Sequence, residues 1–182
     1  MFKFSIRLLL LASLFLLPAY ADEDVVTAVH GTITKIDAGA KTVAVKTADG
    51  TEHTLHFVSK TTVRGTEASA TGAKDAFHGL TEGSEVVARY TAKGTEKTAV
   101  EVDKVGKDGL HGIEGTVTHV SEDGKTVVVK AADGTEHTFS VVGHETVSSA
   151  KAIGKGADKT GKVTVYYTES AGKKVAQFFE KL

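Results

Sequence analysis

The sequence predicts an all-β protein in which two small five-stranded barrels follow one another. Three observations predict it. One segment of about 30 residues occurs twice without a gap. Apolar residues alternate in short runs, while helical periodicity is scarce. Glycines sit in turns between those runs rather than ahead of helices.

Residues 29–58 (VHGTITKIDAGAKTVAVKTADGTEHTLHFV) align with residues 113–142 (IEGTVTHVSEDGKTVVVKAADGTEHTFSVV). The offset is constant: Gly31 matches Gly115, and 115 − 31 = 84. About half of the paired positions are identical, and most others exchange one apolar residue for another. The match resumes where Val86, Ala88 and Tyr90 meet Val163, Val165 and Tyr167, now with 167 − 90 = 77. The ends also correspond, Asp103-Lys104-Val105 with Glu180-Lys181-Leu182. The first copy therefore carries 84 − 77 = 7 extra residues in its middle. The stretch Gly106-Lys107-Asp108-Gly109 reads as the boundary, dividing the chain into repeats 22–106 and 107–182. Repeats this short sit near the lower limit for an independent core, so the two are expected to lean on each other.

Within the first copy the strands are taken in order. Strand one is Val29 to Ile36, with Gly31 and Ile33 on one face; strand two holds Val43 and Val45. Strand three runs Glu52 to Val58, strand four holds Val86, Ala88 and Tyr90, and strand five lies near Ala99 to Val105. Glu67 to Leu80 is expected to hold a helical turn, as is its shorter counterpart Ser148 to Lys159. The hairpin between strands two and three allows a register argument. A two-residue loop at Asp49-Gly50 would put Val45 and Leu55 on opposite faces. A three-residue loop, Ala48-Asp49-Gly50, sets Val43 opposite Leu55, Val45 opposite His53 and Lys46 opposite Glu52. Only the second gathers Val43, Val45, Leu55 and Phe57 on one face, and Gly50 supplies the left-handed residue it needs. The second copy repeats the pattern, with Val129 opposite His137 and Lys130 opposite Glu136.

The strings G-T-[IV]-T-x-[IV], K-T-V-x-V-K-x-A-D-G-T-E-H-T and Gly79-Leu80-Thr81-Glu82-Gly83-Ser84-Glu85-Val86 resemble the OB-like repeats of exported bacterial proteins, a domain family of unknown function. The resemblance covers nearly all of the chain after residue 21. It implies two OB-like barrels and names no activity. A looser likeness is to the small periplasmic copper and silver chaperones, which share a similar barrel.

The first 21 residues read as a signal peptide. Lys3 and Arg7 give the positive start, Leu8 to Leu17 is apolar, Pro18 breaks the run, and Ala19-Tyr20-Ala21 suits cleavage before Asp22. The apolar run is too short to span a bilayer, and no later segment is apolar enough, so no membrane span is expected after cleavage. A periplasmic or extracellular location follows. Without Lys3 and Arg7, the 22 basic residues fall to 20 against 23 acidic ones, a net charge of −3. That balance disfavours nucleic acid, whose binding draws on Lys and Arg. The chain has no Cys, and its one Met is Met1. Thiol catalysis, thiolate metal sites and disulfides are thereby excluded.

All eight histidines follow residue 21, and His53 and His137 occupy the same position in the two copies. Their register points them inward near a barrel mouth, which makes them the candidate ligands for a weakly held divalent metal, zinc or copper(II). No soft ligand is available for copper(I) or silver. Asp22-Glu23-Asp24 lacks the spacing of a calcium loop. No catalytic residue is assigned: nucleophile elbow, HEXXH, P-loop and Rossmann strings are absent, and no cofactor is expected. Tyr166 should face outward on strand four beside Phe178, giving a surface for interdomain packing or for a partner. The expected role is non-enzymatic, binding or scaffolding an envelope protein or small ligand.

Overall fold

The computed structural model describes residues 26–66, 77, 79–107, 109–155 and 161–182. The segment expected to be a signal peptide, the acidic cluster at 22–24 and most of the Glu67–Leu80 stretch lie outside the described residues. The first repeat holds β1 (Val26–Asp37), β2 (Thr42–Lys46), β3 (Glu52–His56), β4 (Thr62–Arg64), β5 (Glu85–Lys93) and β6 (Glu96–Lys104). The second holds β7 (His111–Val120), β8 (Thr126–Ala131), β9 (Glu136–Val141), α1 (His144–Lys155), β10 (Lys162–Ser170) and β11 (Lys173–Lys181). Among the described residues, no helix is long and apolar enough to cross a membrane.

The second repeat is a closed barrel in the order β7-β8-β9-β11-β10, with β9 and β11 parallel and the other neighbours antiparallel. Counted within the repeat this is 1-2-3-5-4, the OB-like Greek key, with α1 between the third and fourth strands. The first repeat has the same core order, and a single pairing of His56 with Thr98 joins β3 to β6. It differs from the five strands expected. A sixth strand, β4, lies parallel to β6 at Thr62 to Arg64, within the stretch where the first copy is longer. In the second repeat the helix starts at His144, four residues ahead of the expected Ser148. Gly143, at φ 82°, opens it, and its carbonyl accepts the Val147 amide at 3.0 Å.

The hairpin register is the three-residue one in both copies. Val43 pairs Leu55, Val45 pairs His53 and Lys46 pairs Glu52, while Val129 pairs His137 and Lys130 pairs Glu136. Gly50 and Gly134 take φ of 87° and 86°. This places Val43, Val45 and Leu55 in one core with Ile33, Val86 and Val102, and Val127, Val129 and Phe139 in the other. Each such side chain, taken fully out of water, contributes about 1.5–3 kcal/mol before entropy is counted.

Bulges are duplicated too. β1 skips Thr34 against β2, and β7 skips Thr118 against β8. In both, the threonine hydroxyl donates to a carbonyl of the opposite strand at 3.3 Å, Ala44 or Val128. β6 skips Val100 and β11 skips Gln177, two further equivalent positions. Such bulges sharpen the coil that closes a small barrel. The turn of the Gly79–Val86 string is stitched to β1, with the Gly83 amide donating to the Ile33 carbonyl and the Ile33 amide to Ser84.

The glycine of the G-T-[IV] string is where first and second strands approach most closely. A Cβ on Gly31 would lie 2.4 Å from the Lys46 carbonyl oxygen, and one on Gly115 would lie 2.5 Å from that of Lys130. Backbone cannot retreat as a flexible side chain can. Gly31→Ala and Gly115→Ala should therefore each cost about 2–3 kcal/mol, read by urea unfolding. A loss near zero for either would show that the strands are not held this tightly.

Candidate functional site: the barrel mouths and the face between the repeats

His53 stands on β3, half-buried at the mouth of the first barrel. The Lys97 ammonium, from β6, donates to its Nδ1 at 3.0 Å and lies 5.4 Å from the Tyr90 ring centroid. The second mouth repeats the group. Lys174 donates to His137 Nδ1 at 2.9 Å and lies 5.3 Å from the Tyr167 centroid. Burial, reinforced by the Lys97 charge and opposed by Asp49, holds the His53 imidazole below its ordinary pKa. Burial raises both phenols. Asp49 itself is held down by the Thr47 hydroxyl and the Thr51 amide in the hairpin turn.

Each mouth thus offers one imidazole whose Nδ1 already accepts from a cation, leaving Nε2. Among the described residues, no three His, Cys, Asp or Glu side chains are grouped to hold a metal ion. The structure keeps His53 and His137 in separate barrels and pairs each with a lysine. Those lysines were legible at the offset of 77 that joins Tyr90 to Tyr167, since 174 − 97 = 77.

The second site lies between the repeats. Tyr166 does face outward from β10, opposite Phe178 of β11, with ring centroids 6.2 Å apart. It is not on the surface: Tyr166 is 5% exposed. Its ring stacks on His30 of β1 at 4.5 Å, and Val87, Leu110 and Val105 complete an apolar cluster drawn from both repeats. The surface that these rings offer is thus covered by the chain's own first half.

Polar groups surround this cluster. His30 Nε2 lies 2.8 Å from Glu85 and its Nδ1 lies 3.0 Å from Glu180, so a carboxylate faces each ring nitrogen. The Tyr166 hydroxyl donates to Glu180 at 3.2 Å, and burial followed by that carboxylate pushes its pKa well up. Beside it, Arg89 Nη1 donates to Glu101 at 2.7 Å and to Asp103 at 2.8 Å. Its Nη2 crosses to the second repeat and donates to the Gln177 carbonyl at 2.6 Å. Gln177 is the bulged residue of β11, and Thr146 of α1 donates to the same carbonyl, at 3.2 Å.

The two faces are the same face of the repeat. At the offset of 77, Arg89 corresponds to Tyr166, Glu101 to Phe178 and Asp103 to Glu180. One copy makes the face charged and the other makes it aromatic. The chain matches no protein-family model, and no curated protein is significantly similar to it.

Asp103 is 3% exposed, and its pKa is pushed up to about 6, chiefly by burial and then by Glu101, against the pull of Arg89. Its unfolded value is 3.8. Between these values the folded chain keeps a proton that the unfolded chain releases. Stability therefore falls as pH rises from about 4 to about 6, on the order of 2–3 kcal/mol in all. Asp103→Asn should remove that slope in urea unfolding followed across the window. An unchanged slope would place the titrating group elsewhere.

Proposed function

We propose that this chain is an exported, non-enzymatic protein of the cell envelope that binds or scaffolds through two OB-like repeats acting as one body. The observation that carries this reading is the buried face between the repeats. A face joined by Arg89, His30 and Tyr166 holds the two barrels in one orientation, as a scaffold requires. The lysine–histidine–tyrosine groups sit at equivalent mouths and give the module a repeated polar feature without a nucleophile–base pair. The likeness to OB-like repeats of exported bacterial proteins fits the same reading.

Two measurements test it. Expressed with its leader in a bacterial host, the chain should be recovered from the envelope fraction or the medium, with Asp22 as its first residue by mass spectrometry. Recovery in the cytoplasm with Met1 intact would reject export. Zinc or copper(II) should leave the melting temperature of the exported form unchanged, because an ammonium holds Nδ1 of each imidazole and, among the described residues, no three metal-binding side chains are grouped. Metal-dependent stabilisation that disappears in His53→Ala/His137→Ala would replace scaffolding with metal binding as the function.

A further inference from the structure

β1 is 12 residues long, and its two sides are not covered equally. Along one side β5 pairs with it from Val26 to Thr32. On the other side β2 pairs only from Thr32 to Asp37. The β2–β3 hairpin turns back just beyond Lys46, with the Thr47 amide donating to the Thr51 carbonyl at 2.9 Å. From Val26 to His30, no described residue pairs with the backbone on that side.

Natural sheet edges are normally guarded by charge, proline or shortness. The stretch Val26-Thr27-Ala28-Val29-His30 has no Lys, Arg, Asp, Glu or Pro, and three of its five residues are β-branched. The corresponding edge in the second repeat, His111-Gly112-Ile113-Glu114, is guarded: Gly112 weakens it as a strand and Glu114 charges it. The two copies have thus diverged at this edge.

A groove of about 190 Å3 lies beside the open stretch, lined by 26–28 of β1, by Thr146 and Ser149 of α1 and by 177–179 of β11. It continues the face between the repeats, because Phe178 also packs on the Val87–Leu110–Tyr166 cluster. A strand added to β1 would set its outward side chains over this groove. Main-chain pairing would supply affinity and the groove would supply selectivity.

We propose that the open edge of β1 pairs antiparallel with the same edge of a second copy of this chain. Centred on Ala28, the pairing sets Val26 opposite the partner's His30 and brings no like charges together. Identical edges related by a two-fold axis satisfy one another and leave nothing open, so assembly stops at two chains rather than continuing as a fibre. Pairing of this kind does not depend on where the protein is delivered, or on what else it binds.

The test is light scattering on a sizing column, with the exported form run from micromolar to near-millimolar concentration and without added metal. The mass should rise from one chain to two and go no higher. Ala28→Lys and Ala28→Glu, which set like charges face to face, should each stay at one chain. Mixed together, they should recover the two-chain mass. Thr27 is exposed but also lines the groove, and Thr27→Lys should stay monomeric too; recovery of the two-chain mass when the Lys and Glu chains are mixed separates loss of pairing from damage to the groove. A single-chain mass at every concentration overturns the proposal. So does a dimer that persists in all three variants, which would place the contact elsewhere.

Discussion

The buried guanidinium of Arg89 ties the two halves of this protein together, alongside the His30–Tyr166 stack. Arg89 is anchored on its own repeat by Glu101 and Asp103 and reaches across to the Gln177 carbonyl. Its charge is nearly out of water, with the side chain 12% exposed, so the carboxylates and the foreign carbonyl are requirements rather than ornaments. Taking away one partner of such a buried set typically costs about 3–5 kcal/mol. The carbonyl that Arg89 reaches is that of Gln177, the residue that β11 skips in its pairing with β10. A local irregularity of the second repeat thus serves the first.

Duplication explains how such a face arises. Each repeat presents the outer side of its first, fourth and fifth strands to the other, and an unmodified copy would meet its own chemistry there. An arginine repeated at position 166 would set a cation against His30, where the Tyr166 ring now stacks. The second copy instead has Tyr166, Phe178 and Glu180 at those positions, which gives the arginine a carbonyl and gives His30 a ring and a carboxylate. The connection is also tight. Gly109 lies so close to the Lys104 carbonyl that a Cβ there would approach to 2.0 Å, and the Leu110 amide donates to that carbonyl at 2.8 Å. The two glycines of the stretch that reads in sequence as a polar boundary are drawn together, the Gly109 amide donating to the Gly106 carbonyl at 2.6 Å.

Much of the barrel was legible because its information is local. The hairpin register follows from the loop length and from which face must hold Val43 and Leu55, and both copies obey it. The inward placement of His53 and His137 follows from that register. β4 was not legible: three residues in a parallel pairing leave no alternation to read. The partners of Tyr166 were out of reach for a different reason. His30 is 136 residues away in sequence, and nothing in either strand states how one barrel is rotated on the other. The lysines at the mouths were readable from the repeat alignment. A lysine at a strand start resembles ordinary surface charge, so composition and pattern alone do not single them out.

The central claim is that the buried face makes two repeats into one thermodynamic unit. Scanning calorimetry of the chain from residue 22 onward measures this directly. One unit predicts a single transition whose calorimetric enthalpy equals its van't Hoff enthalpy, a ratio of about one. A ratio of about two, or two resolved transitions, would mean that each barrel melts by itself and would contradict the account.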